Sequence, residues 1–175
     1  EEARRLQRLV TDLLDFSRPS TLRRSRMEVL ALVATAVDAA RAGVADLSPM
    51  PALTQTVPPD LAWEHVDAEL CRRALINLID NALRAPRCRA VRVSAADDGD
   101  ALTLRVSDDG EGIDEALREK VFAPFYSSRP AGTGLGLAIV RNVALAHGGS
   151  VTCSETAGGG ATFTLRIPRA PAPEA

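Results

Sequence analysis

The chain has 175 residues, of which 25% are charged and 46% hydrophobic; this is near the globular average and excludes both wholesale disorder and a membrane-embedded chain. A formal net charge of −2 gives no chain-wide positive field to draw nucleic acid or an anionic bilayer, so any anionic ligand has to be held locally. Three cysteines, Cys71, Cys88 and Cys153, are too few and too scattered for a disulfide framework or a metal motif and read as reduced, semi-buried core residues.

The length suits one domain plus a short appendage. Residues 1–18 read as the appendage: Leu6, Leu9, Val10, Leu13 and Phe16 recur at three- and four-residue steps and make a narrow apolar seam that needs a partner helix. Pro19 stops that helix, and 19–27 reads as a linker and first strand. A second helix is expected over 28–42 with Gly43 as its C-terminal cap, then strands over 52–57 and 63–66 around Pro58-Pro59. Asp67 caps a strongly periodic helix from 68 to about 85, ended by Pro86. Residues 91–95 and 102–106 form an expected antiparallel pair across Asp97-Asp98-Gly99-Asp100. One short helix over 115–121, a helix over 135–146, strands over 150–154 and 161–167, and a disordered tail over 169–175 complete the chain. The mixture fits an α+β fold, a two-layer α/β sandwich whose mixed sheet is covered by helices on one face, with the folded domain spanning 28–168. The longest apolar run, 30–37, is well short of the roughly 18 residues a membrane span needs, so a cytoplasmic segment without membrane contact is expected.

Four segments carry chemistry-bearing residues. Asn77, Asn81 and Arg84 stand at i, i+4 and i+7 and share one helical face, which is either the solvated side of an amphipathic helix or, with neutral oxygens and a cation at one spot, a seat for a Mg²⁺-bound polyphosphate. Asp108-x-Gly110-x-Gly112 follows a strand; its glycines are turn residues or let backbone approach a flat ligand, while the carboxylate accepts from an exocyclic amine. The third segment is Phe122-Ala-Pro-Phe125. In the fourth, Gly132-x-Gly134-x-Gly136 opens a helix, whose unpaired amides bind anions. Its spacing fits neither the dinucleotide fingerprint nor a P-loop.

Together and in this order, the segments resemble the catalytic ATP-binding domain of bacterial sensor histidine kinases, within the superfamily of gyrase, Hsp90 and MutL. Asn77-Leu78-x-x-Asn81-Ala82 is similar to the asparagine box, and 108–112 to the first glycine box. Phe122-x-Pro124-Phe125 is similar to the phenylalanine box, and 132–137 to the second glycine box. His147-Gly148-Gly149 and Gly158-x-Gly160-x-x-Phe163 match the closing strands, and 13–19 resembles the end of the second dimerisation helix.

The resemblance implies that ATP and Mg²⁺ are the cofactors, with Asn81 as metal ligand, Asn77 beside it and Arg84 at a phosphate-contacting position. It implies that Asp108 reads the adenine amino group and that Gly110, Gly112, Ile113, Phe125 and Thr162 surround the nucleotide. Arg129 would reach phosphates from a lid, the amides of Thr133, Gly134, Leu135 and Gly136 would cradle them, and Leu137 would also belong to the nucleotide site. Asn77 stands where hydrolysing relatives carry a glutamate. A neutral amide cannot activate water, so transfer to histidine is expected rather than hydrolysis. Neither His65 nor His147 lies in the family's acceptor pattern, so the chain reads as a C-terminal fragment of a longer homodimeric kinase. Its implied partners are its own phosphoacceptor dimerisation domain and a response regulator receiver domain, and its location is the cytoplasmic part of a sensor. The rival readings are an ATP-hydrolysing or anti-sigma serine-kinase relative and a nucleotide-sensing scaffold without phosphotransfer.

Overall fold

A computed structural model describes Val10, Leu13 and residues 22–129 and 132–169 of the chain. The remainder of the N-terminal seam and residues 170–175 lie outside the described residues, while Val10 and Leu13 are helical and exposed.

The described order is β1 (Ser25–Glu28), α1 (Val29–Gly43), β2 (Ala52–Thr56), β3 (Ala62–Val66), α2 (Ala68–Leu83), β4 (Ala90–Asp97), β5 (Ala101–Asp108), two 3₁₀ turns, α3 (Gly136–Ala146), β6 (Ser150–Glu155) and β7 (Ala161–Pro168). The strands form two sheets. β1 pairs antiparallel with β3, and a five-stranded sheet runs β2-β4-β5-β7-β6 with only β2 and β4 parallel. The mixed sheet and one-sided helical cover are as the sequence implies. The strands flanking Pro58-Pro59, however, part company: β2 joins the large sheet and β3 the small one.

Residue alternation sets the faces. Val91, Val93 and Ala95 of β4, with Leu102, Leu104 and Val106 of β5, are buried toward the helices. Leu75, Leu78 and Ile79 of α2 are fully buried and meet them, each contributing about 1.5–3 kcal/mol of apolar burial. Asp67 caps α2 through Oδ1, which accepts from the Leu70 amide at 3.1 Å, an arrangement whose loss costs about 1 kcal/mol. The other oxygen accepts from the Arg23 amide at 2.9 Å. His147, the C-cap of α3, accepts the Asp67 amide on Nε2 at 3.0 Å and donates from Nδ1 to the Val143 carbonyl at 2.8 Å. This pairing fixes the Nδ1–H tautomer.

Two expected boundaries are corrected. Gly43 ends α1 as a helical residue and Val44 caps it in an ordinary negative-φ conformation, so no left-handed cap forms. The single helix expected over 115–121 is two 3₁₀ turns, Glu115–Leu117 and Lys120–Phe122. Val121 and Phe122 are buried there, with Phe122 edge-on to Phe163 at 6.0 Å, so packing overrides the helical continuation.

Candidate functional site

Asp108 ends β5 and is 3% exposed. Its Oδ1 accepts from the amides of Gly110 at 2.9 Å and Ala161 at 3.2 Å. Both side-chain bonds end on that oxygen. Burial pushes this carboxyl above the ordinary aspartate range, against the opposing pull of those two amides.

Glycines allow three chain segments to converge there. A Cβ on Gly110 would stand 2.8 Å from the Pro86 carbonyl oxygen and 3.1 Å from Cβ of Ala85. Gly160, at φ +97°, would place one 2.0 Å from the Asp108 carbonyl oxygen, and Gly112 lies in turn against Gly160. Ile113 packs against the core beside them.

The second half of the site is built on α2 and the start of α3. Gly136 is the first residue of α3, and a Cβ there would meet Oδ1 of Asn77 at 3.6 Å. One turn along, Asn81 accepts on Oδ1 from Nη2 of Arg129 at 3.0 Å. The turn into α3 is held by Phe125 and Gly134. Both lie at positive φ, 65° and 69°, and the Phe125 amide donates to the Gly134 carbonyl at 2.9 Å. The Phe125 ring is exposed. The Thr133 hydroxyl accepts from the Leu135 amide at 3.3 Å, while Leu135 is buried and Leu137 packs against the core. Among the four expected cradle amides, that of Leu135 is thus already engaged by a side chain.

Asn77 and Asn81 stand four residues apart on one side of α2, and Ala85 lies two residues past its end. Asn77 meets Gly136, and Ala85 meets Gly110.

Two expected members fall elsewhere. Arg84 shares the helical face in projection, but its Nε donates to Asp80 at 3.0 Å and its Nη2 to the Gly43 carbonyl at 3.0 Å. It is therefore turned toward the end of α1, where Asp46 adds a second carboxylate at 3.4 Å. Thr162 sits opposite Ser107 and donates to its hydroxyl at 2.9 Å. Pleating puts that pair on the face away from the helices, whereas Asp108 and Ala161 face toward them. The β7 residue that contacts Asp108 is Ala161, with Gly160 before it.

A family model described as histidine kinase-, DNA gyrase B- and HSP90-like ATPase matches residues 66–171. The chain belongs to this family. Its fold and its nucleotide-binding architecture are those of a histidine-kinase-type ATPase domain. The sensor protein IrlS of Burkholderia pseudomallei (strain K96243) is 38% identical over 175 residues, covering 96% of this chain and 38% of that protein. The mycobacterial sensor histidine kinase MprB superposes with a TM-score of 0.71 at 27% identity, over 85% of this chain and 99% of that one. Full-length ShkA, solved in complex with AMPPNP, gives a TM-score of 0.78 at 26% identity over 97% of this chain and 37% of its own. The chain spans under two fifths of the length of the curated relatives it matches.

Within the ATPase-family frame, Ala161 and the Pro86 carbonyl, which accepts from the Glu111 amide at 3.1 Å, escape notice in the sequence. The strand's parity counted from Phe163 is the signal for Ala161, since Phe163 is buried and every second residue shares its face. A backbone carbonyl gives no such signal.

Proposed function

We propose that this chain is the catalytic ATP-binding domain of a sensor histidine kinase, which transfers the γ-phosphate of ATP to a histidine on a separate dimerisation domain. The observation that carries the reading is that α2 and the turn after it meet the start of α3 at Asn77 and Gly136, and meet Gly110, which donates to the buried Asp108, at Ala85. Asp108 would accept from the adenine amino group on Oδ2, in a slot kept open by Gly110, Gly112 and Gly160. The start of α3 and Arg129 would meet the phosphates, neutralising charge that develops on the transferring group. Asn77 supplies no general base, so a nucleophile other than an activated water is required.

Asn81 suits a Mg²⁺ ligand. Its oxygen already accepts from a cationic group, and no cluster of three or more His, Cys, Asp or Glu exists among the described residues. A hard cation would therefore be held by an amide oxygen and by the phosphates themselves. When bound, Mg²⁺ supplies charge neutralisation and orientation of the phosphates.

His147 is buried with both ring nitrogens bonded, which supports an acceptor from outside this domain. The next partner in that scheme is a response regulator receiver domain, with a homodimeric kinase as the assembly. Among the described residues no helix is long and apolar enough to cross a membrane. The test is calorimetric titration with ADP, with and without Mg²⁺, taken to millimolar nucleotide. Saturable, metal-dependent binding is expected, and no binding at millimolar concentration defeats the reading.

A further inference from the structure

The first glycine segment reads Asp108-Asp109-Gly110-Glu111-Gly112, and its acidic members divide between two tasks. Asp108 is buried in the site, whereas Asp109 and Glu111 are exposed and both are engaged. Oδ1 of Asp109 accepts from the amides of Arg89 at 2.7 Å and Ala90 at 2.9 Å, and the Asp109 amide donates back to the Ala90 carbonyl at 3.3 Å. The amides of Arg89 and Ala90 hold its carboxyl below the ordinary aspartate range. Glu111 accepts on Oε1 from Nε and Nη2 of Arg87, both at 2.6 Å, while its amide donates to the Pro86 carbonyl at 3.1 Å. All of these bonds end on residues 86–90, which run from the turn after α2 into β4.

That turn is itself constrained. Arg87 lies at φ 61°, a left-handed conformation uncommon for a residue with a side chain and one that persists where surrounding contacts over-determine it. What the constraint serves is visible at Gly110. A Cβ built there would stand 2.8 Å from the Pro86 carbonyl oxygen, 3.0 Å from Oδ1 of Asp108 and 3.1 Å from Cβ of Ala85. Gly110 is thus wedged between the turn and the carboxylate to which it donates at 2.9 Å. Close-packed contacts transmit displacement, so movement of the turn moves Gly110 and, with it, the direction of the Asp108 carboxylate.

We propose that Asp109 and Glu111 are positioning residues for base selection: by pinning residues 86–90 against Gly110, they fix Asp108 in the orientation that accepts from an exocyclic amine and repels a carbonyl oxygen. The proposal rests on the reading of Asp108 as the adenine contact. A carboxylate held in one direction distinguishes a donor from an acceptor at the same ring position, whereas one free to swing away from an opposing oxygen loses that discrimination. Both residues act through Gly110 and Asp108 rather than on the nucleotide.

The test is calorimetric affinity of the 175-residue chain for ADP and for inosine diphosphate, which carries an oxygen in place of the exocyclic amine. The parent should prefer ADP. Asp109→Ala, which frees the amides of Arg89 and Ala90, should lower the ratio of the two affinities about tenfold. Arg87→Ala, which removes only an exposed pair, should lower it less. Asp109→Asn keeps an oxygen for both amides and should retain the parental ratio. Partial unfolding would weaken both nucleotides by one common factor and leave the ratio where it was, so a role in stability alone does not give this result. Parental ratios in both Asp109→Ala and Arg87→Ala overturn the proposal, and so does a ratio that falls as far in Asp109→Asn as in Asp109→Ala. A parent that binds both nucleotides alike removes Asp108 from the base contact; that failure shows before any variant is made, and this proposal falls with it.

Discussion

Arg129 donates from Nη2 to Oδ1 of Asn81 at 3.0 Å, joining residues 48 positions apart in sequence. The bond ties the segment before α3 to the last turn of α2. Replacing Asn81 with Ala removes the acceptor from a part-buried polar face without opening a core cavity, so stability should stay within about 1 kcal/mol. Its effect should be selective: ADP affinity in Mg²⁺ falls about tenfold, and affinity measured in chelator does not change. Equal losses with and without the metal would remove Asn81 from its assigned role.

Asp108→Asn keeps an oxygen for the Gly110 and Ala161 amides but places an NH₂ where the adenine amine would arrive. Adenine nucleotides should weaken by about 1–3 kcal/mol. Calorimetry of ADP against the variant measures this, and unchanged affinity removes Asp108 from the base pocket.

The raised pKa of Asp108 adds a pH signature with two opposite slopes. Folding favours the protonated carboxyl, so its contribution to stability is full below the ordinary aspartate value of ~3.9 and is lost as pH rises through the raised folded value. Nucleotide recognition needs the carboxylate and should fail on acidification through that same raised value. Affinity followed from neutral toward mildly acid pH should decline before other aspartates titrate, and Asp108→Asn should flatten the decline.

Glycine substitutions separate backbone strain from close approach. Gly158 and Gly160 both lie at positive φ, 93° and 97°, but only at Gly160 would a Cβ strike backbone, 2.0 Å from the Asp108 carbonyl oxygen. Gly158→Ala should cost about 1–2 kcal/mol in urea denaturation. Gly160→Ala should cost at least about 2 kcal/mol more and abolish ADP binding. Similar costs for the two would mean that the β5–β7 junction yields easily.

With labelled ATP, the isolated chain should form no acid-labile phosphohistidine. Both nitrogens of His147 are engaged in a buried setting, and His65 sits in β3 at φ 58°. An acid-labile band would overturn transfer to an outside histidine. Arg84→Ala makes a companion control: the Asp80 and Asp46 pairs are lost, at about 1 kcal/mol of stability, while ADP affinity holds.

The sequence makes most of the site legible because its residues lie in short local patterns. The alternation over β4 and β5, the Asp67 cap and the glycine spacing each follow from local chemistry. What it hides are facts of three dimensions. A helical wheel places Arg84 beside Asn77 and Asn81, yet it carries no information about the acidic end of α1 that captures the guanidinium. Thr162 differs from Ala161 by one residue, and that step reverses the face of a strand. Likewise, nothing local tells β2 and β3 that they belong to different sheets.

The family match begins at residue 66, after four of the elements that close the core. Val29, Val33 and Val37 of α1 and Trp63 of β3 belong to the same buried cluster as Leu75 and Leu78 of α2. A fragment cut at the family boundary would strip cover from α2, the helix that carries Asn77 and Asn81, and expose its apolar side to water. The unit of inheritance recognised in the sequence is thus smaller than the unit that folds cooperatively, and truncations meant to isolate the nucleotide site need to retain the chain from β1 onward.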